Sequence, residues 1–153
     1  MKFSEALNQA YSEARTRLTV LTDQLTESDL KKTLAPSPNS LGFLIRHIAD
    51  VELLFSKNVF KATEITVRAK TVIYQKDTGE WIDQKELLEY LKNSFSAISQ
   101  IINLQPENTW NDLITTTEFG TKTKIEAFGR IISHTAYHTG QIAMIMKYGK
   151  TKN

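Results

Sequence analysis

Four stretches of the chain repeat apolar positions at alternating steps of four and three. In the first, Leu7, Tyr11, Ala14, Leu18, Leu21 and Leu25 form one stripe, which predicts a helix from about Ser4 to Leu25. The second is capped by Asn39 or Ser40, and Leu41, Leu44, Ile45, Ile48, Val51, Phe55 and Val59 spread over a broad apolar arc. The third starts at Asp83, with Glu86 completing a capping box, and continues through Leu87 or Leu88, Leu91, Phe95, Ile98 and Ile102. Thr123 and Glu126 stand in the same relation at the start of the fourth, which Gly149 ends.

Between these stretches the helical period is lost. Thr26-Glu-Ser-Asp-Leu suits a short extra turn, and two prolines in Ala35-Pro-Ser-Pro-Asn-Ser interrupt helix formation. Residues 61–82 read as a long irregular crossover between the second and third helices. Ile65 to Tyr74 is β-branched enough for a little strand, and Asp77-Thr-Gly-Glu is a turn signal. Residues 103–122 form a second connection, in which Thr115 to Thr123 suits a small hairpin. Trp81 and Trp110, one in each connection, read as anchors for the loops. There is no internal repeat. The pattern predicts an all-α four-helix bundle, as a single domain over residues 1–153.

Composition narrows this only a little. A chain of 153 residues can bury a core without staples, and the lack of cysteine excludes disulfides and thiolate ligands. The net charge is +2, with basic and acidic residues interspersed, so nothing points to nucleic acid or an anionic membrane. The first residues contain no apolar core of signal-peptide length, and no apolar run approaches 18 residues. A soluble, cytoplasmic protein is expected.

The fourth stretch changes the picture. It holds two of the chain's three histidines, His134 and His138. Four residues on a helix mean about 40° of rotation and about 6 Å of rise, so both imidazoles lean over one face and can close on one ion. The wheel places them at the rim of the buried arc. Between Ala127 and Met146 the only charged residue is Arg130, so most of this helix should be covered, and Gly129 and Gly140 suggest another backbone packed closely there. A homodimer burying part of the helix would supply such cover.

His47 lies within the apolar arc of the second helix. Asp50, about 60° round from it, can approach the same site, whereas Glu52, about 140° round, fits a buried, hydrogen-bonded structural carboxylate better. Taken alone, each signal has an ordinary explanation. A single histidine in an apolar arc is usually a core residue bonded to a carbonyl, and His-x-x-x-His without a following Glu is not the zincin motif. Together they say more, because three buried imidazoles with no shared partner would be costly. A metal ion would satisfy one nitrogen on each and leave the other for an orienting acceptor, a role open to Gln141 and Tyr137 as well as Asp50.

Leu41-Gly-Phe-Leu-Ile-Arg-His-Ile-Ala-Asp-Val-Glu, followed by His134-Thr-Ala-Tyr-His-Thr-Gly-Gln-Ile, resembles the DinB/YfiT-like superfamily. The likeness spans nearly the whole chain, and its most specific part is the string His134 to Gln141. It implies a four-helix bundle with a divalent metal on His47, His134 and His138, and frequent dimers. Relatives include thiol-dependent S-transferases and a maleylpyruvate isomerase. Thr139 stands where family members often carry Arg.

Three neutral imidazoles with open positions suit Zn²⁺ or Ni²⁺, and Fe²⁺ is compatible. The leading expectation is a metal-dependent enzyme acting on a small molecule, of thiol S-transferase type, with a low-molecular-weight thiol as cosubstrate. A metal-dependent hydrolase is the alternative chemistry. A non-catalytic, stress-related metal-binding protein is the alternative class, and it would need a fourth ligand from Asp50, Glu52 or Gln141 to close the site.

Overall fold

The computed structural model describes residues 1–151. Its helices are α1 (Phe3–Thr22), α2 (Leu41–Asn58), α3 (Lys70–Tyr74), α4 (Gln84–Asn103) and α5 (Lys124–Tyr148). Four short strands accompany them: β1 (Lys32–Thr33), β2 (Leu113–Thr116), β3 (Gly120–Thr123) and β4 (Lys150–Thr151). The fold is mostly helical. None of the described helices is long and apolar enough to cross a membrane.

The caps anticipated from sequence form. Ser40 accepts a hydrogen bond from the backbone N–H of Phe43. Asp83 accepts one from the N–H of Glu86, but Glu86 does not return the bond, so the box expected there is only half formed. Thr123 and Glu126 bond reciprocally. Thr26 and Asp29 do the same for a short 3-10 turn over Glu27–Lys31. The four long helices pack in a cycle, α1 and α2 each against both α4 and α5. Two apolar clusters fill the space between them. One contains Leu18, Leu41, Ile45, Ile48, Leu91 and Ile142; the other contains Tyr11, Val51, Phe55, Ile98, Phe128 and Ile131.

Several details differ from the pattern. α1 stops at Thr22, and Leu25 reaches the core from the following turn instead of from the helix. Residues 61–82 contain the single-turn α3 and no strand: burial of Thr71 against α2 overrides the β-branched composition around it. The hairpin β2–β3 forms in the second connection, pairing Leu113 with Thr123 and Thr116 with Gly120. A second ladder, β1–β4, ties Lys32 and Thr33 to residues beyond α5. Gly149 ends α5 with an ordinary φ of −68°; glycine is needed there because a Cβ would collide with the carbonyl of Ile145 and approach that of Thr33.

The expectation for Gly129 and Gly140 is overturned within the described chain. Both are exposed and nothing approaches either one, so neither provides a close backbone crossing. The close crossing is at Gly42, where a Cβ would collide with the carbonyl of Trp81. Nor is α5 covered on all sides: Tyr137, Met144 and Tyr148 are at least half exposed.

Candidate metal centre

α2 and α5 bring the three histidines together. One ring nitrogen from each of His47, His134 and His138 lies within 4.8 Å of the others, and Nε2 of His134 faces Nε2 of His47 at 3.1 Å. The rings pack mainly edge to face, with His134 and His138 4.4 Å apart between centroids. Phe43, one turn before His47 on α2, stacks parallel to its imidazole at 5.9 Å.

The outward nitrogens decide which lone pairs point inward. Thr71 Oγ1 donates its single proton to Asp50 Oδ2 at 2.8 Å, so towards His47 it can only accept. His47 Nδ1, 3.2 Å from that oxygen, therefore carries a proton, which leaves Nε2 as a bare lone pair. At His138, Nδ1 lies 2.6 Å from Gln141 Oε1 and donates to it, again leaving Nε2 unprotonated. His134 Nδ1 is different: it is buried, with no hydrogen-bond partner among the described residues.

Asp50 does not touch an imidazole. It is fully buried and accepts four hydrogen bonds, from the Thr71 N–H and hydroxyl, the Tyr90 hydroxyl and Arg46 Nε. Arg46 in turn lies 3.6 Å above the Tyr90 ring. Burial, followed by the charge of Asp50, raises the Tyr90 pKa well above its ordinary value, so its hydroxyl stays a donor. Asp50 thus reaches His47 through Thr71, a residue the sequence pattern passes over. Its only signal was a hydroxyl side chain within an aperiodic segment.

Glu52 points elsewhere. It is fully buried and bonds to Tyr11, to Arg15 twice and to Ser94. Tyr137 is largely exposed; its ring meets the His138 ring edge to face at 5.1 Å, and its hydroxyl has no hydrogen bond to an imidazole. Thr139 is buried and bonds back to the carbonyl of Thr135. Trp81 and Trp110 are buried, one in each apolar cluster.

Desolvation keeps the imidazoles neutral. Burial, with the nearby His138 next in weight, lowers the pKa of His47 to about 4. The same causes in the same order bring His134 to about 3, with His47 and Arg130 adding less. His138 is lowered by burial and partly restored by its bond to Gln141. Two nitrogens of neutral imidazoles 3.1 Å apart, with a third close by, form a donor set that fits a divalent ion.

A cavity of about 630 Å³ opens beside the cluster. All three histidines line it, together with apolar side chains of α2 and the tip of the β2–β3 hairpin. The chain matches the DinB superfamily over residues 10–142, most of its length, and it belongs to that superfamily. A comparison with curated proteins finds no match.

Proposed function

We propose that this DinB-superfamily chain holds one divalent metal ion on His47, His134 and His138 and acts as a metal-dependent enzyme of thiol S-transferase type. One observation carries the reading: three imidazoles converge beside a cavity, and the three side chains named as possible fourth ligands are already engaged. Asp50 is held by Thr71, Tyr90 and Arg46; Glu52 by Arg15, Tyr11 and Ser94; and Gln141 by His138. A structural site is closed by four protein ligands, whereas a catalytic one leaves a position for solvent or substrate. That favours an enzyme over a non-catalytic metal-binding protein.

When bound, a Zn²⁺, Ni²⁺ or Fe²⁺ ion supplies Lewis acidity, which favours the deprotonated form of a thiol or water. The chain's own groups do the rest. The Asp50–Thr71 pair fixes the proton of His47 on Nδ1, and Gln141 does the same for His138, so both rings present Nε2 in a fixed orientation. Phe43 and the apolar wall exclude water from one side of the cluster, strengthening any charge interaction there.

Elemental analysis of purified protein should find about one divalent ion per chain, and each His→Ala variant should lose it. With Co²⁺ in the site, a small thiol should produce a sulfur-to-metal charge-transfer band that the His134→Ala protein lacks. A spectrum that ignores thiols but responds to hydroxide near neutral pH would replace the transferase by a hydrolase. Undiminished affinity in all three variants would remove the site altogether.

The same reading includes a homodimer in a cytoplasmic setting. The exposed groove between α1 and α5 is lined by Ala14, Val20, Leu21, Ala136, Gly140 and Ala143, with Glu13 and Arg17 in the same groove. A two-fold axis across it would bring Glu13 of one copy towards Arg17 of the other. Light scattering at micromolar concentration should give twice the 17.4 kDa chain mass, and a monomer would refute the dimer.

A further inference from the structure

The cavity beside the histidines is elongated along α2. His47, Val51, Leu54, Phe55 and Asn58 follow one another along its wall, and the eleven helical steps from first to last extend about 16 Å. Across from them stand Val72 of α3 and Phe119 at the hairpin tip, whose ring lies 6.2 Å from that of Phe55. The interior is therefore apolar. The outer lining adds carboxamides, Asn39, Asn58 and Gln75, all uncharged.

Charge is what the wall lacks. Among the described residues no lysine or arginine lines it, and apart from the histidines its one ionisable side chain is Glu118. That carboxylate faces Arg130 at 3.4 Å. A ligand carboxylate lying along Val51 and Leu54 would lose its hydration and gain no cation in return.

Building on the metal-centre reading, we propose that this site takes a substrate with a single metal-seeking head group and an extended, uncharged, mostly apolar tail, and that it discriminates against a second negative charge. The three imidazoles receive the head. Val51, Leu54, Phe55 and Phe119 receive the tail, and the carboxamide of Asn58 meets its far end. Small polyanionic thiols are poor substrates on this reading, and apolar thiols or thiol acceptors are good ones.

The test uses zinc-loaded protein and three series of hydroxamates, from butyl to decyl, with methyl, carboxylate or ammonium ends, measured by calorimetry. Affinity in the methyl series should rise roughly two- to fourfold per added methylene. Carboxylate-ended ligands should bind at least about tenfold more weakly than methyl-ended ones of equal length, the cost of one unpaired buried charge. Leu54→Lys, at a half-buried position, should reverse that order, and Phe119→Ala should flatten the methyl series without adding charge. A flat methyl series, equal binding of carboxylate ends, or a preference for ammonium ends would overturn the proposal.

Failure of the metal reading is separately visible as a protein that takes up no zinc. The tail reading is then decided on metal-free protein by displacing a neutral solvatochromic dye with straight-chain alcohols. Longer alcohols displacing at lower concentration support it, and displacement independent of length overturns it.

Discussion

Asp50 and Glu52 stand two positions apart on α2, and both are fully buried. Their surroundings give them different work. Glu52 receives Tyr11 and Arg15 from α1 and Ser94 from α4, so it braces three helices where the two apolar clusters meet. Asp50 receives Arg46 from its own helix, Tyr90 from α4 and Thr71 from α3, and through Thr71 it reaches His47. The same functional group, a carboxylate on one helix, serves the fold in one direction and the candidate site in the other. Burial alone does not distinguish them. The identity of the donors does.

The largest effect should come from breaking the brace. Glu52→Ala leaves the Arg15 guanidinium, itself nearly fully buried, with the Leu91 carbonyl and the Phe95 ring, and it reduces Tyr11 to a long contact with Thr135 and Ser94 to the Leu91 carbonyl. Removing one partner of a buried ion pair costs about 3–5 kcal/mol, so the denaturant midpoint should fall steeply. Metal affinity of the fraction that remains folded should hardly change. A loss below about 1 kcal/mol would mean that the network contributes no more than a surface pair.

Asp50→Asn should show the opposite balance. The carboxamide keeps the shape but weakens the acceptor that holds the Thr71 hydroxyl, and His47 loses its fixed tautomer. Metal affinity should drop by about 10–100-fold, the usual range for a partner that orients a ligand histidine. The melting temperature of the metal-free protein should fall less than in Glu52→Ala. If Asp50→Asn unfolds the protein instead, the two carboxylates have the same role and the comparison collapses.

Much of this was legible from sequence, and the division follows the range of the interactions. The capped helices rest on contacts within a few residues, so Asp83, Thr123 and the four-three stripes could be read directly. His134 and His138 share a face by helix geometry, and the wheel turned Glu52 away from His47. Thr71 could not be found that way, because its role depends on a short helix packing against α2 across 21 residues of chain. Arg15 reaches Glu52 across 37. Gly42 was passed over and Gly129 misread for a related reason: a periodic pattern shows that a glycine is tolerated, not which backbone comes near it.

Thr71→Val isolates the link between Asp50 and His47, with a smaller expected change. Valine keeps the branched shape that packs on α2 and removes only the hydroxyl linking His47 to Asp50. Metal affinity should fall by about tenfold, at the low end of the range for orienting partners. The Asp50 carboxylate loses one of its four donors but keeps Arg46, Tyr90 and the backbone N–H of residue 71, so the cost in stability should be about 1–2 kcal/mol. An affinity equal to that of the unaltered chain would show that the ring of His47 is held by packing against Phe43 alone.

The smallest effect is expected from moderate acid, and its smallness is the point. An ordinary histidine site loses metal as the pH falls through about 6.5, because protons compete for the ligand nitrogens. Here burial lowers His47 to about 4 and His134 to about 3. Between pH 7 and about 5 these two rings remain neutral, so few protons need to be displaced and metal affinity should change little. Below about pH 4 it should fall steeply. The metal-free fold follows the same sign. The unfolded chain binds more protons than the native one below about pH 6.5, so this part of its stability is complete above that value and is lost as the pH falls towards 4 and then 3. Asp50 raises the His47 pKa, so Asp50→Asn should move the loss of metal to lower pH while weakening the affinity at neutral pH. Metal titrations of both proteins from pH 7.5 to 3.5 measure this directly. Affinity that decays through pH 6.5 in the unaltered chain would mean that water reaches the imidazoles freely, and that burial does not hold their protons off.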